Sequence, residues 1–490
     1  MQAEMTERKG TEQVLHCNRM RRLSCLAGRK RVTAVIIIAL GLACLAVLLW
    51  RSAPVLAQEV ISHEEPTPSS VDEVRTPMGR TFKEKPTRPG LFPWLKEQLK
   101  DTPAFFRDTK LDLNFRTYCF YRDNYDDSKN EAWTLGGSLS YQSGWFLDHF
   151  SVGTVLYTSQ PLYAPDDRDG TLLLKPSQEG YTVFGQLYAR VKLIEDNFVN
   201  LYRYEYNTPY INKNDSRMTP NTFEGYMFNG AYGGKDGAPS FSYGGGYITK
   251  IKERNSDRFV WMSQDAGADV KRGVFLGGGS FSSGGFRIGA IDYYSDDIIN
   301  IGYAEASYTL PVTKDLGLLF TAQFTDQRST GDDLLTGSSF STNQVGLKSD
   351  ISYGGGILTF GYTKVTSRQA DMQSPWGGYP GYTSVQVRDF NRAGENAFMA
   401  KVSYDFSLLG LEGVAAYALF VHGWGRVDPA TKGPVPDENE FDVDIQWRPQ
   451  WKFLKGLWFR TRYANVHQYE GDKNTIHDFR VIVNYDVPLL

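Results

Sequence analysis

Cysteine is nearly absent. Of four cysteines in 490 residues, Cys17, Cys25 and Cys44 lie within the first fifty positions and Cys119 stands alone beyond them. The body of the chain can therefore build neither an internal disulfide nor a cysteine metal cluster. Long apolar runs are as scarce: only residues from about 32 to 50 approach the ~20 that a membrane-crossing helix needs, which excludes a helical membrane bundle. Histidine is rare and scattered, and His149, His422, His467 and His477 have no Ser or Cys companion at triad-like spacing. The glycine clusters at 244–246, 277–279, 284–285 and 354–356 are not phosphate loops, because none is followed by Lys-Ser/Thr and none opens a helix. They mark turns, bends or close backbone approaches. Asp166-Asp167-Arg168-Asp169-Gly170 matches a cation-binding loop only loosely and reads as a solvated outer loop. No cofactor, metal site or catalytic group is expected.

The N-terminus has the layout of an export signal. Arg19, Arg21, Arg22, Arg29, Lys30 and Arg31 precede the apolar stretch, and Val55-Leu56-Ala57 offers a cleavage site. An uncleaved anchor is the alternative, since the run approaches spanning length. Removing residues 1–57 takes away nine Lys/Arg and three Asp/Glu, leaving 44 basic and 53 acidic residues, a net of −9. That balance speaks against nucleic-acid binding, which leaves a basic footprint. Residues 58–104 are rich in Pro, Glu, Lys, Ser and Thr and are expected to be mostly disordered, with one short amphipathic helix at WLKEQL, Trp94 to Leu99.

What the chain has in abundance is glycine, tyrosine and alternation. There are 48 Gly and 29 Tyr, aromatics reach 14%, and mean hydropathy is −0.39. From residue 105 to 490, segments of about ten alternating residues are separated by Gly, Asn, Asp, Pro and Ser clusters, and about eighteen such segments can be marked. Leu111, Leu113, Phe115, Thr117, Cys119 and Tyr121 share one face, opposed by Asp112, Asn114, Arg116, Tyr118, Phe120 and Arg122. Phe441, Val443, Ile445 and Trp447 oppose Asp442, Asp444, Gln446 and Arg448, and Phe479, Val481, Val483 and Tyr485 oppose Arg480, Ile482 and Asn484. A soluble sandwich would alternate too. The export signal, the absence of helix-period runs and an amphipathic strand close to Leu490 favour instead an all-β, transmembrane antiparallel barrel of about eighteen strands in the outer membrane.

Four passages stand out along this region. They are the opening strand Leu111-Asp-Leu-Asn-Phe-Arg116-Thr-Tyr-Cys-Phe-Tyr-Arg122-Asp123, then Asn214-Asp215-Ser216-Arg217-Met218-Thr219-Pro220-Asn221-Thr222-Phe223-Glu224-Gly225. The others are Ser384 to Glu395 (SVQVRDFNRAGE), and the end from Gly456 through Tyr485. In order and spacing these four resemble the OprD-type outer-membrane porins. The long leader, the Pro-rich segment and the final Leu490 depart from the family pattern. The resemblance implies eighteen strands, frequent packing as trimers, an inward-folded third outer loop, and passive, substrate-selective uptake of small carboxylate-bearing solutes such as amino acids and small organic or aromatic acids. Weakly selective passage is the runner-up, and an outer-membrane hydrolase a distant third.

Six arginines carry most of the expected chemistry: Arg116, Arg122, Arg448, Arg460, Arg462 and Arg480 come from strands at the two ends of the barrel sequence, which become neighbours when it closes. Guanidinium groups stay charged and bind carboxylates bidentately, so a row of them gives an anionic group successive footholds. The family has such a basic ladder, and Arg116, Arg460, Arg462 and Arg480 match it best. The competing reading is a salt-bridge mesh with Asp112, Asp442 and Asp444 that only stiffens the wall. Residues 207–223 (NTPYINKNDSRMTPNTF) are too long for a turn and are expected to fold inward as the constriction, with Tyr210, Lys213, Asp215 and Arg217 facing the solute. An outward surface loop is the alternative.

Overall fold

The computed structural model describes residues 90–234, 238–451, 453–470 and 474–490. The expected leader and residues 58–89 of the 58–104 segment lie outside the described residues. Eighteen long strands form one closed antiparallel sheet. The first seven are β1 (Lys110–Asp123), β2 (Lys129–Gln142), β3 (Phe150–Tyr163), β4 (Tyr181–Ile194), β5 (Asn197–Tyr204), β6 (Thr222–Gly233) and β7 (Ser240–Lys252). A two-residue strand, β8 (Val260–Trp261), hangs on β7. Then follow β9 (Val274–Ser283), β10 (Phe286–Ser295), β11 (Ile299–Pro311), β12 (Leu316–Arg328), β13 (Ser341–Tyr353) and β14 (Gly356–Val365). The last five are β15 (Asn396–Asp405), β16 (Val414–Trp424), β17 (Glu438–Trp447), β18 (Leu457–Gln468) and β19 (Thr475–Pro488). β19 pairs with β1 from Asp112↔Pro488 to Asp123↔His477, which closes the barrel and leaves no free edge.

Period two fixes the two faces. Phe115, Leu135, Phe184, Leu347 and Phe398 are exposed on the outside, as lipid-facing residues are. Thr134, Gln344, Thr363, Glu440 and Asp478 point inward and are buried. The 244–246 and 277–279 glycines sit opposite one another in β7 and β9 (Gly244↔Gly278, Gly245↔Gly277), where backbones approach closely. β3 begins only at Phe150, because Leu147 and Asp148 take positive φ (51° and 62°) in the preceding turn. Register breaks are confined to pairs among β2 to β7, where Leu162, Gly185, Leu193 and Thr249 are extra residues.

Connections alternate in length. At one end they are short, as at 195–196, 284–285 and 354–355; at the other run loops 164–180, 205–221, 253–273, 329–340, 366–395 and 425–437. At the short end the chain enters through α1 (Pro93–Leu99), as the WLKEQL segment suggests, and one further turn, α2 (Ala104–Arg107). Leu91 and Phe92 amides donate to the carbonyls of Pro488 and Leu489 (2.9 and 3.0 Å), tying this entry segment to the last strand.

An eighteen-strand barrel encloses more space than its own side chains fill. Here the long loops fill it. Tyr210 and Ile211 of loop 205–221, Met262 of loop 253–273, and Met372, Trp376 and Tyr379 of loop 366–395 form one apolar cluster with Tyr293, Ile299 and Ile301 of the wall. Trp376 is fully buried and its Nε1 donates to the Met262 carbonyl (2.8 Å). One side of the lumen is thus apolar enough to hold loops, while the wall from β17 through β19 to β1 stays charged.

Candidate functional site

Alternation delivers the arginines to the lumen. On β18, Arg460 and Arg462 share one carboxylate of β17: Asp444 Oδ2 lies 2.7 Å from Arg460 Nη2 and 3.0 Å from Arg462 Nε. On β19, Asp478 is likewise divided between Arg480 Nε (2.6 Å) and Arg122 Nη2 of β1 (2.8 Å). Arg116 donates to Asn484 Oδ1 (2.7 Å) and pairs with Asp215 of loop 205–221 at 2.6 Å. Arg448 lies one residue past the end of β17, with its guanidinium 5.0 Å from the ring of Trp458. Arg116, Arg122, Arg460 and Arg462 each keep part of their side chain open to water, whereas Arg480 is only 2% exposed. Of the acids expected in a mesh, Asp444 pairs with these arginines, and Asp478 and Asp215 are the further partners.

Loop 205–221 folds inward. Its expected solute-facing residues divide into two pairs. Lys213 and Asp215 keep exposed surface, Lys213 beside Glu205 (3.7 Å) and Asp215 beside Arg116. Burial works against the charge on Asp215, but the Arg116 guanidinium outweighs it and holds the carboxyl below its usual range. Tyr210 and Arg217, in contrast, do not face a solute. The Tyr210 ring is fully buried among Tyr293, Tyr303 and Tyr379, at centroid distances of 6.0 to 6.2 Å, because it anchors the loop to the apolar wall. Arg217 donates to the Thr171 carbonyl (2.7 Å) and lies over Phe120; burial, with Arg480 and Arg254 nearby, pulls its pKa well down.

A second inward loop was not foreseen. Loop 366–395 grips the first: Asn212 Nδ2 donates to the Gly378 carbonyl (2.8 Å) and Asn212 Oδ1 accepts from the Gly378 amide (2.9 Å). A side chain at Gly377 would meet Asn212 at 2.7 Å, so the clasp requires glycine. The loop then crosses to the charged wall. The amides of Val387 and Arg388 donate to Glu440 (2.7 and 2.8 Å), and the Gln386 amide donates to Asp442 (3.1 Å). Gln386 Nε2 reaches Asp478 (2.8 Å), and Arg480 Nη2 reaches the Gln386 carbonyl (3.2 Å). Of these acids Asp442 was visible in the sequence; Glu440 and Glu438 continue the same inward face two and four residues before it. Resemblance had marked 384–395 as a recurring stretch without giving it a place.

Two inward lysines were also missed. Lys348 on β13 lies 4.8 Å from the centroid of Tyr382, and Lys401 on β15 lies 5.5 Å from that of Tyr417.

Comparison with known proteins follows this geometry. A family model described as outer membrane porin, OprD family, matches residues 103–489. Porin D of Pseudomonas aeruginosa strain PAO1 is 24% identical over 426 residues, spanning 80% of this chain and 93% of that relative. Among solved structures, P. aeruginosa OccK9 (OpdG) is similar with a TM-score of 0.70 at 23% identity, covering 79% of this chain and 100% of the other. Acinetobacter baumannii OccAB2 gives 0.70 at 17% identity, with 79% and 100% covered. P. aeruginosa OpdK, in a structure with vanillate, gives 0.68 at 20% identity, with 78% and 100% covered.

Proposed function

Since the chain belongs to the OprD family of outer-membrane porins, a channel and not an enzyme, we propose that it admits small solutes bearing a carboxylate and guides them along the arginine row. In outer-membrane barrels the short turns face the periplasm and the long loops face outward, so the loop-filled lumen lies across the path of any entering solute. What carries the proposal is the sharing of acids on the charged wall. Among the described residues, the ion pairs of Arg122, Arg460, Arg462 and Arg480 are made with two acids, Asp444 and Asp478. Four guanidiniums held by two carboxylates retain donors and positive charge for a passing anion. The same acids hold the side chains in fixed positions, so little entropy is lost when a solute docks. The vanillate in the OpdK structure is itself a small aromatic acid, which agrees with this chemistry. The net charge of −9 expected once the leader is removed does not contradict it, because permeation responds to the potential inside a narrow lumen and not to the whole surface.

Liposome uptake measured for butyrate and for size-matched butylamine tests the reading. The parent should pass the acid faster, and Arg460→Ala with Arg462→Ala should lower acid uptake about tenfold, the worth of one charge-assisted contact of ~1.5 kcal/mol. Equal acid uptake in parent and double variant would mean that the arginines only stiffen the wall.

A further inference from the structure

The two lysines differ from every arginine of the row that holds an acid. Among the described residues no carboxylate lies within 4 Å of either ammonium; each sits over a tyrosine ring instead. A ring face attracts a cation without cancelling its charge. Asp350, two residues along β13 from Lys348, accepts from Thr359 Oγ1 (2.5 Å). On β17, Asp442 takes a loop amide and Asp444 takes two arginines. Both lysines are only half-buried and lie on the inward face of their strands.

The rings are held in place. Tyr382 belongs to loop 366–395 and its hydroxyl donates to Glu305 of β11, two strands from Lys348 in the same wall (3.0 Å). It packs where Gly346 and Gly361 present no side chain, with Tyr382 Cδ2 3.2 Å from a Cβ built on Gly346. Tyr417 links the lysines to the row, since its ring underlies Lys401 while its hydroxyl accepts from Arg462 Nη2 (3.3 Å). The charged arc thus continues from β19 and β18 across Tyr417 to β15 and β13.

We propose that Lys348 and Lys401 form a second anion subsite, which takes the second carboxylate of a dicarboxylate solute while the first rests on the arginine row. The proposal rests on the carboxylate reading above and narrows it. A monocarboxylate at the row gains little from the lysines. A dicarboxylate engages two point charges that no protein acid holds, and one such contact contributes about tenfold in occupancy.

The test compares succinate with butyrate, four-carbon acids that differ in one carboxylate, in liposomes carrying the full-length protein. Lys348→Gln with Lys401→Gln should lower succinate uptake about tenfold and butyrate uptake less than twofold. Lys348→Arg with Lys401→Arg should retain the parent's preference, and unheated gel mobility reports that each variant is folded. If folded K348Q/K401Q passes succinate like the parent, or loses both acids equally, the second subsite is overturned while the carboxylate reading stands. If the parent passes neither acid better than butylamine, the carboxylate reading falls and the subsite falls with it.

Discussion

Asp444→Asn isolates the charge of the arginine row from its scaffolding. Asp444 is fully buried between Arg460 and Arg462. Asparagine keeps its shape and removes one negative charge, leaving two guanidiniums that are each about 15% exposed and able to rehydrate. An anion resting ~6 Å from that position would lose a repulsion of ~0.7 kcal/mol in water-like surroundings, or ~2.8 kcal/mol at an effective dielectric near 20. These limits correspond to roughly threefold and roughly hundredfold in occupancy. Screening over about 8 Å at physiological salt favours the lower figure. The anion-to-cation permeability ratio, read from the reversal potential of single channels under a potassium chloride gradient, should rise at least about threefold. An unchanged ratio, or a move toward cations, would refute the idea that the row sets the lumen potential.

Three further outcomes follow from the loops. Asn212→Ala cuts both hydrogen bonds to Gly378, a loss of about 1–3 kcal/mol; single-channel records should flicker while the barrel's melting temperature stays put, and steady openings would show that the clasp is idle. Trp376→Ala empties the centre of the loop cluster at a cost of about 3–5 kcal/mol; conductance should rise, and an unaltered value would place the narrowing elsewhere. Burial lifts the Glu395 carboxyl to about 7, against the pull of the Arg392 amide and Arg426. The unfolded chain releases that proton near pH 4.3, so stability is full below that value and falls as pH rises to about 7. Glu395→Gln should flatten this slope in thermal midpoints taken from gel mobility at pH 4 to 8, and an identical slope would acquit Glu395.

The wall was legible because each strand states its two faces locally. Arg460, Arg462 and Arg480 could be assigned to the lumen from neighbours two residues away. The interior was not legible, because a loop has no period to say where it packs. Tyr210 and Trp376 are aromatic residues among Gly, Pro and Asn, equally compatible with an outer loop and with a lumenal core. Their burial depends on Tyr293, Ile299 and Ile301, distant in sequence. Glu438 and Glu440 could have been found by extending the Asp442–Asp444 alternation backward. Lys348 and Lys401 fit alternating strands too, but what distinguishes them is the acid that each lacks, and only three dimensions reveal that.

The uneven placement of the register breaks bears on how such a channel can change by insertion and deletion. Leu162, Gly185, Leu193 and Thr249 are single-residue additions that strands β2 to β7 already absorb as local bends. The wall from β17 to β19 and β1 keeps one register throughout. An added residue between Arg460 and Arg462 that was not bent away would turn one guanidinium toward lipid and bring Tyr463 or Thr461 inward. The barrel therefore has a half where length can drift and a half where only substitution is open to it. Its selectivity can be retuned residue by residue on the charged side, while single added residues are taken up as bends on the other.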